Sequence, residues 1–404
     1  MQKSSFWKAG HTPTLLASFF YFDLSFMVWV ILGPLAVQIA GDLALTPAQK
    51  GLMVATPLLS GALLRIVMGV LVDHLKPKKA GIIGQIIVMS GMLWAWLGDL
   101  SSYHTMLAFG VILGFAGAAF AVALPLASRW YPPEHQGTAL GIAGAGNSGT
   151  AFAALFAPTL AIIFGWQNVF GLCLIPLGVA FIVYLVFTKD APNAPPAKSL
   201  LEYLHVLKDK DAWWFMFFYS VTFGGFSGLA SSLTIYFNGQ YGLSPVTAGY
   251  FTAACVFAGS AIRPLGGRLA DRIGGIKTLS MMYLLAATFM LIASFGLPSA
   301  MAAVAIFVLA MLALGVGNGA VFQLVPQRFR KEIGVMTGLV GMAGGIGGFY
   351  LASSLGYSKQ LTGSYQGGLI VFAALAIIAL LGLSAVKNRW RTTWGSAAMT
   401  NAKI

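Results

Sequence analysis

Long apolar runs separated by short polar intervals dominate the chain. A helix needs about 20 mostly apolar residues to cross a bilayer. Twelve such runs occur: 13–40, 47–73, 80–98, 104–128, 136–160 and 166–187, then 212–238, 246–270, 277–297, 299–325, 334–357 and 366–386. None shows the period-two alternation of a membrane barrel strand. The pattern predicts an all-α membrane protein of twelve transmembrane helices. Residues 1–187 and 212–404 each carry six of them, and residues 188–211 form the connection.

The polar intervals predict orientation. With the N-terminus inside, 20 of the 24 Lys and Arg residues fall on the inner side and two, Lys50 and Lys359, on the outer side. Such a bias places both termini in the cytoplasm. The first apolar run is too long for the core of a cleaved signal peptide and reads as an uncleaved span. The connection begins Pro-rich and ends in a short predicted helix. There Ser199 and Glu202 have capping-box spacing, and Leu200, Leu201, Leu204 and Leu207 form one apolar face for the membrane surface.

Composition agrees. The chain is 58% hydrophobic and 9% charged, against roughly 25% charged in soluble proteins. Its net charge of +13 is spread over many short loops, so it argues for membrane orientation and against a nucleic-acid partner. Cys173 and Cys255 both sit in apolar runs and give neither a disulfide framework nor metal spacing.

The two sets of six are related. Residues 60–74 align without gaps to 258–272 at an offset of 198, which pairs Gly61 with Gly259, Arg65 with Arg263, Gly69 with Gly267 and Asp73 with Asp271. At an offset of 197, Gly137, Gly141 and Gly144 match Gly334, Gly338 and Gly341. Parallel repeats of this kind place a transporter's substrate site at the interface between them.

Arg65 and Arg263 supply the candidate chemistry. Each lies deep in an apolar run, where an arginine costs on the order of 2.5–3.5 kcal/mol. The repeat makes them face each other across a pseudo-twofold axis. Only Asp23 among the acids lies within a span, so a mobile anion is the natural partner of the two charges. Guanidinium keeps its proton and its planar fork suits flat oxyanions. The alternative is that each arginine snorkels or pairs with backbone carbonyls. Asn147 and Asn318, in the glycine-rich stretches 137–149 and 315–323, could donate to an anion or bridge neighbouring helices. The segment GAGNSG (144–149) also fits a dinucleotide-binding glycine pattern, but no strand precedes it. No cofactor is expected, and the spans place no nucleophile–base pair or metal cluster that would suggest an enzyme.

Gly69 with Asp73, and GGRLADRIGG (266–275, with Gly267, Asp271 and Arg272), resemble the cytoplasmic loop signature of the major facilitator superfamily. GAGNSG, AGGIGGF (343–349) and the paired arginines resemble the nitrate/nitrite porter family within it. The resemblance covers essentially all twelve runs. It implies two pseudo-symmetric six-helix bundles, a bacterial inner membrane, a monomer, and nitrate or nitrite as cargo. It implies further that Arg65 and Arg263 grip the anion and that Phe26, Tyr219 and Phe223 close the site. Asn147, Gly144 and Gly344 would line or flex against the pocket, and the loop residues would latch the inner gate. Asp23, three residues before Phe26, is the candidate for proton coupling in a symporter. A nitrate/nitrite exchanger, a porter for a small carboxylate such as oxalate or formate, and a non-transporting anion sensor remain open on the sequence.

Overall fold

The computed structural model describes residues 6–192, 200–329, 332–394 and 404. The capping-box Ser199 and the inner-side cations Lys3, Lys198, Arg330, Lys331 and Lys403 lie outside them. Every regular element among the described residues is helical. The long ones are α1 (Thr12–Trp29), α2 (Leu32–Asp42), α3 (Pro47–Leu75), α4 (Pro77–Leu97), α5 (Tyr103–Gly117), α6 (Phe120–Ser128), α7 (Pro133–Gly144), α8 (Gly149–Phe164) and α9 (Trp166–Phe187). After the short α10 (Leu200–Val206) come α11 (Lys210–Tyr241), α12 (Pro245–Ala261), α13 (Arg263–Ile273), α14 (Gly275–Ser294), α15 (Ala300–Arg328), α16 (Ile333–Thr362) and α17 (Gln366–Thr392).

Among the described residues, eleven helices or helix pairs are long and apolar enough to cross a membrane. The remaining predicted run, 212–238, is α11. It is 32 residues long and buried without interruption from residue 221 to residue 237. Its glycines, serines, threonines and aromatics lower its hydropathy below that of the other eleven. α10 leaves Leu201 and Leu204 exposed, an apolar edge beside the predicted membrane surface.

Glycines set the closest contacts. α16 lies between α3 and α11. A Cβ on Gly345 would stand 2.7 Å from Ala62 Cβ of α3, and one on Gly347 would stand 2.0 Å from the Ser220 carbonyl of α11. Small residues allow this approach where no water drives helices together. On the Lys/Arg-rich face the ends of α11, α15 and α17 are tied by charge. Asp211 accepts from Arg328 Nε (3.0 Å), from Trp390 Nε1 (2.8 Å) and from Arg389.

Four helix interruptions matter for the site. They fall between α1 and α2, between α5 and α6, at a 3₁₀ turn (Ala145–Ser148) between α7 and α8, and at Ile262 between α12 and α13. The last has a covalent cause. Pro264 has no N–H and its ring crowds the carbonyl four residues earlier, which favours a break there, although Pro57 lies inside α3 without one. α3, with Ile66 at the matching position, is continuous.

Candidate functional site

Arg65 is 1% exposed. Its Nε donates to the Gly117 carbonyl at 3.2 Å, and its Nη1 donates to the Gly341 carbonyl. The first acceptor exists because α5 stops there. Ala121 N–H, which would take the Gly117 carbonyl in a continuous helix, donates instead to Ala118 at 2.9 Å. The Gly341 carbonyl belongs to α16, so one side chain joins α3 to both α5 and α16. The guanidinium carbon also lies 4.9 Å from the Phe120 ring centre, 5.2 Å from Phe223 and 5.5 Å from Trp29. Trp29 is itself held, donating from Nε1 to the Pro57 carbonyl at 2.7 Å. It fits because Gly117 is a glycine: a Cβ there would sit 2.3 Å from the indole nitrogen.

Arg263 is half-buried at the start of α13. Its Nη2 donates to the Tyr219 hydroxyl at 3.1 Å, and its guanidinium lies 5.9 Å from the Phe322 ring. Tyr219 and Phe223 stack with centres 5.2 Å apart and planes 5° apart. This ring pair reaches from one arginine to the other, and the two guanidiniums are close enough to feel each other's charge. Gly344 is the floor beneath the pair, since a Cβ would stand 2.8 Å from either ring.

Each guanidinium keeps one buried nitrogen without a hydrogen-bond partner among the described residues: Arg65 Nη2 and Arg263 Nη1. Leaving a buried donor unpaired costs about 1–3 kcal/mol, and more for a charged group. The two donors belong to side chains at either end of the stacked Tyr219–Phe223 pair.

The other predicted residues are placed as follows. Phe26 is fully buried and packs on Phe22 (4.2 Å) and Trp29 (4.6 Å), so it backs the tryptophan that faces Arg65. Asn147, in the 3₁₀ turn, and Asn318, on α15, are each 1% exposed with Oδ1 unpartnered. Gly144 ends α7, and a Cβ there would meet only Leu124, at 4.0 Å. Asp23 accepts from Ser148 Oγ at 2.6 Å and from the Gly149 N–H, which ties α1 to the start of α8. Asp73 pairs with Arg129 at 3.4 Å, one turn beyond the half-buried Gly69. Gly267 lies in α13 facing open space, and Asp271 and Arg272 are exposed, with no ion pair to either among the described residues.

Sequence reasoning passed over Trp29, Phe120, Phe322 and the carbonyls of Gly117 and Gly341. A signal was present for two of the rings. GAAF (117–120) and GAVF (319–322) repeat at an offset of 202, and their final Phe residues lie against Arg65 and Arg263 respectively. No group of three or more His, Cys, Asp or Glu residues that could hold a metal ion occurs among the described residues.

The structure of a bacterial homolog of the human lysosomal transporter Spinster, inward-facing and occupied, superposes with a TM-score of 0.71 at 18% identity, covering 94% of this chain and 97% of that one. The human organic anion transporter MFSD10 superposes with a TM-score of 0.69 at 15% identity, covering 92% and 99%. At these identities the likeness speaks for the fold. Among sequence relatives, the probable nitrate/nitrite transporter NarK2 of Mycobacterium tuberculosis is 33% identical over 92% of this chain and 95% of its own. The nitrite extrusion protein of Bacillus subtilis is 32% identical over 88% of each chain. The probable nitrate transporter NarT of Staphylococcus carnosus is 34% identical over 88% of this chain and 91% of its own. The Major Facilitator Superfamily model matches residues 16–352. With a helical fold of that kind, and relatives of this identity along nearly its whole length, the chain belongs to the nitrate/nitrite porter family of the major facilitator superfamily.

Proposed function

We propose that the chain carries nitrate, with nitrite as a second substrate, by alternating access between two six-helix bundles. On this reading α11 is the seventh of twelve spans, residues 188–211 link the bundles, and both termini lie in the cytoplasm. The observation that carries the proposal is the pair of buried, unpartnered guanidinium nitrogens on Arg65 and Arg263, joined by the stacked Tyr219–Phe223 rings. Nitrate is flat and monovalent, and its three oxygens can accept from both arginines at once. Its arrival pairs both donors and screens the repulsion between the guanidiniums. Closure around the site therefore depends on the cargo. The names of the relatives favour the same cargo.

Net inward transport must be coupled, by electrostatics. Moving one negative charge inward against a negative-inside potential costs about 2.3 kcal/mol per 100 mV. Either protons accompany nitrate, or another anion leaves. Asp23 is the candidate for proton coupling: it is 5% exposed and bonded to Ser148 at the broken fifth span. Exchange for nitrite is the second reading, favoured by relatives named for nitrite extrusion and for nitrate/nitrite transport.

Proteoliposomes decide between them. Labelled nitrate should exchange for internal nitrate and nitrite, and oxalate or formate should compete poorly. A porter of small carboxylates would show the reverse order. If a pH gradient drives nitrate accumulation in the wild type, Asp23→Asn should abolish that accumulation and spare counterflow. Accumulation intact in the variant would remove Asp23 from the coupling.

A further inference from the structure

The outer face carries two cations, on the orientation proposed above. They come from different bundles, Lys50 from the first turns of α3 and Lys359 from the last turn of α16, yet they lie close enough to interact electrostatically. The backbones beneath them touch: a Cβ on Gly51 would stand 2.9 Å from Gly356 Cα, and Ala48 N–H donates to Gln360 Oε1 at 3.0 Å. The outer end of the α3–α16 seam is therefore shut, with two like charges at its rim.

These are the same two helices that meet at Arg65. Lys359 follows Gly341 by 18 residues, five full turns, so both lie on one face of α16 about 27 Å apart. Lys50 precedes Arg65 by 15 residues, about 22 Å and within about 60° of the same face of α3. The two carboxylates on this face are engaged on other elements. Asp42 accepts from Trp166 Nε1 at 2.7 Å, and Asp99 accepts from the Ser101 N–H at 2.8 Å. Lys359 spends one donor on the Gly363 carbonyl at 2.9 Å and rests its ammonium 5.1 Å from the Tyr365 ring, which leaves the remaining donors of its head for an anion.

We propose that Lys50 and Lys359 form an outer landing site for nitrate, two point charges that collect the anion at the mouth of the seam and hand it toward Arg65. The site rests on the porter reading above and extends it. When α3 and α16 part, the lysines flank the opening. When the seam shuts, a bound anion relieves their repulsion, as salt does. A lysine suits this task better than an arginine, because a strongly hydrated point charge attracts without gripping.

The test is nitrate uptake from the outer side of oriented vesicles, read as KM against ionic strength. For the double variant Lys50→Gln/Lys359→Gln, KM at about 10 mM salt should rise about tenfold, the low end of electrostatic focusing. It should converge on the wild-type value by about 0.5 M salt, where screening reaches only a few ångströms. The maximal rate and uptake from the inner side should not change. Lys50→Arg/Lys359→Arg, which keeps both charges, should retain the wild-type KM and shows that the outer helix ends still fold. A KM equal to the wild type at low salt would overturn the proposal, as would a shift that persists at high salt and marks a mere helix cap. Wild-type vesicles that take up no nitrate would instead remove the porter reading itself.

Discussion

Arg65 and Arg263 occupy matching positions in the two copies of the repeat, yet the pockets that hold them are built differently. Arg65 lies in a continuous helix, is fully enclosed and spends two of its donors on backbone carbonyls from α5 and α16. Arg263 begins a new helix after the break at Ile262, is half-buried and, among the described residues, donates to the Tyr219 phenol. Of the alternatives raised by the sequence, carbonyl pairing is seen at Arg65, with Nη2 left buried and without a hydrogen-bond partner among the described residues. The difference teaches that a symmetric pair of charges need not be a symmetric device. On the proposed alternating-access reading, Arg65 would be the fixed jaw, set by main-chain atoms from α5 and α16, and Arg263, beside the break at Ile262, would be the jaw that moves.

Substitution by lysine is the strongest way to break this comparison. Lysine cannot span two carbonyls and an anion, and each charge-assisted hydrogen bond is worth about 1.5–3 kcal/mol. Arg65→Lys should therefore lower nitrate counterflow by about 100-fold or more. Arg263→Lys loses one neutral partner and should lower it about tenfold. Equal losses in the two variants would mean that the carbonyl scaffold adds nothing to what the charge supplies.

The glycines sharpen the contrast at the next level. Gly144 and Gly341 are repeat counterparts, but a Cβ on Gly341 would stand 3.3 Å from Phe120 and 3.4 Å from Arg65 Nη1, whereas Gly144 has only Leu124, at 4.0 Å. Overpacking of a tight site costs about 1–3 kcal/mol. Gly341→Ala should raise the nitrate KM about tenfold, and Gly144→Ala should stay within about twofold. The same KM shift in both would show that these glycines serve helix packing at large.

Legibility in the sequence followed the same division. Among the described residues, eleven of the twelve apolar runs coincide with helices or helix pairs long and apolar enough to cross a membrane, because length and hydropathy are local properties, and the twelfth is helical as the more polar α11. Both arginines were visible because a charge deep in an apolar run is costly and so conspicuous. Tyr219 and Phe223 came from resemblance, and they do meet the arginines. Trp29, Phe120 and Phe322 were hidden because an aromatic in an apolar run carries no local mark of facing a cation, and only the GAAF/GAVF echo distinguished two of them. The carbonyl partners of Arg65 were beyond reach. Gly117 becomes an acceptor only when α5 stops, and Gly341 only when α16 lies against α3.

Tyr219→Phe probes the moving jaw alone. It deletes the hydroxyl that accepts from Arg263 and keeps the stacked ring over Gly344. A single hydrogen bond to a charged group, lost from a half-buried arginine, should raise the nitrate KM about fivefold with little change in maximal rate. A larger loss of rate than of affinity would assign the hydroxyl to closure rather than to holding Arg263.

The smallest expected effect tests the hinge directly. Pro264 is where the second copy departs from the first, which has Ile66. Pro264→Ile supplies the missing N–H and removes the ring that crowds the carbonyl of Ser260, so α12 and α13 can join as α3 does. Thermal stability in detergent should rise, because a proline inside a helix costs about 3 kcal/mol when nothing compensates for it. Nitrate affinity should stay within about twofold, since no group that touches Arg263 is altered, while maximal counterflow should fall two- to threefold as the moving jaw stiffens, a modest loss of the kind hinge residues show. A variant that is more stable and equally fast would locate the motion elsewhere in the bundle and leave the break as a packing adjustment around Phe322. A variant that binds nitrate poorly would show that the break aims the guanidinium, in which case the asymmetry between the arginines is one of direction rather than of mobility.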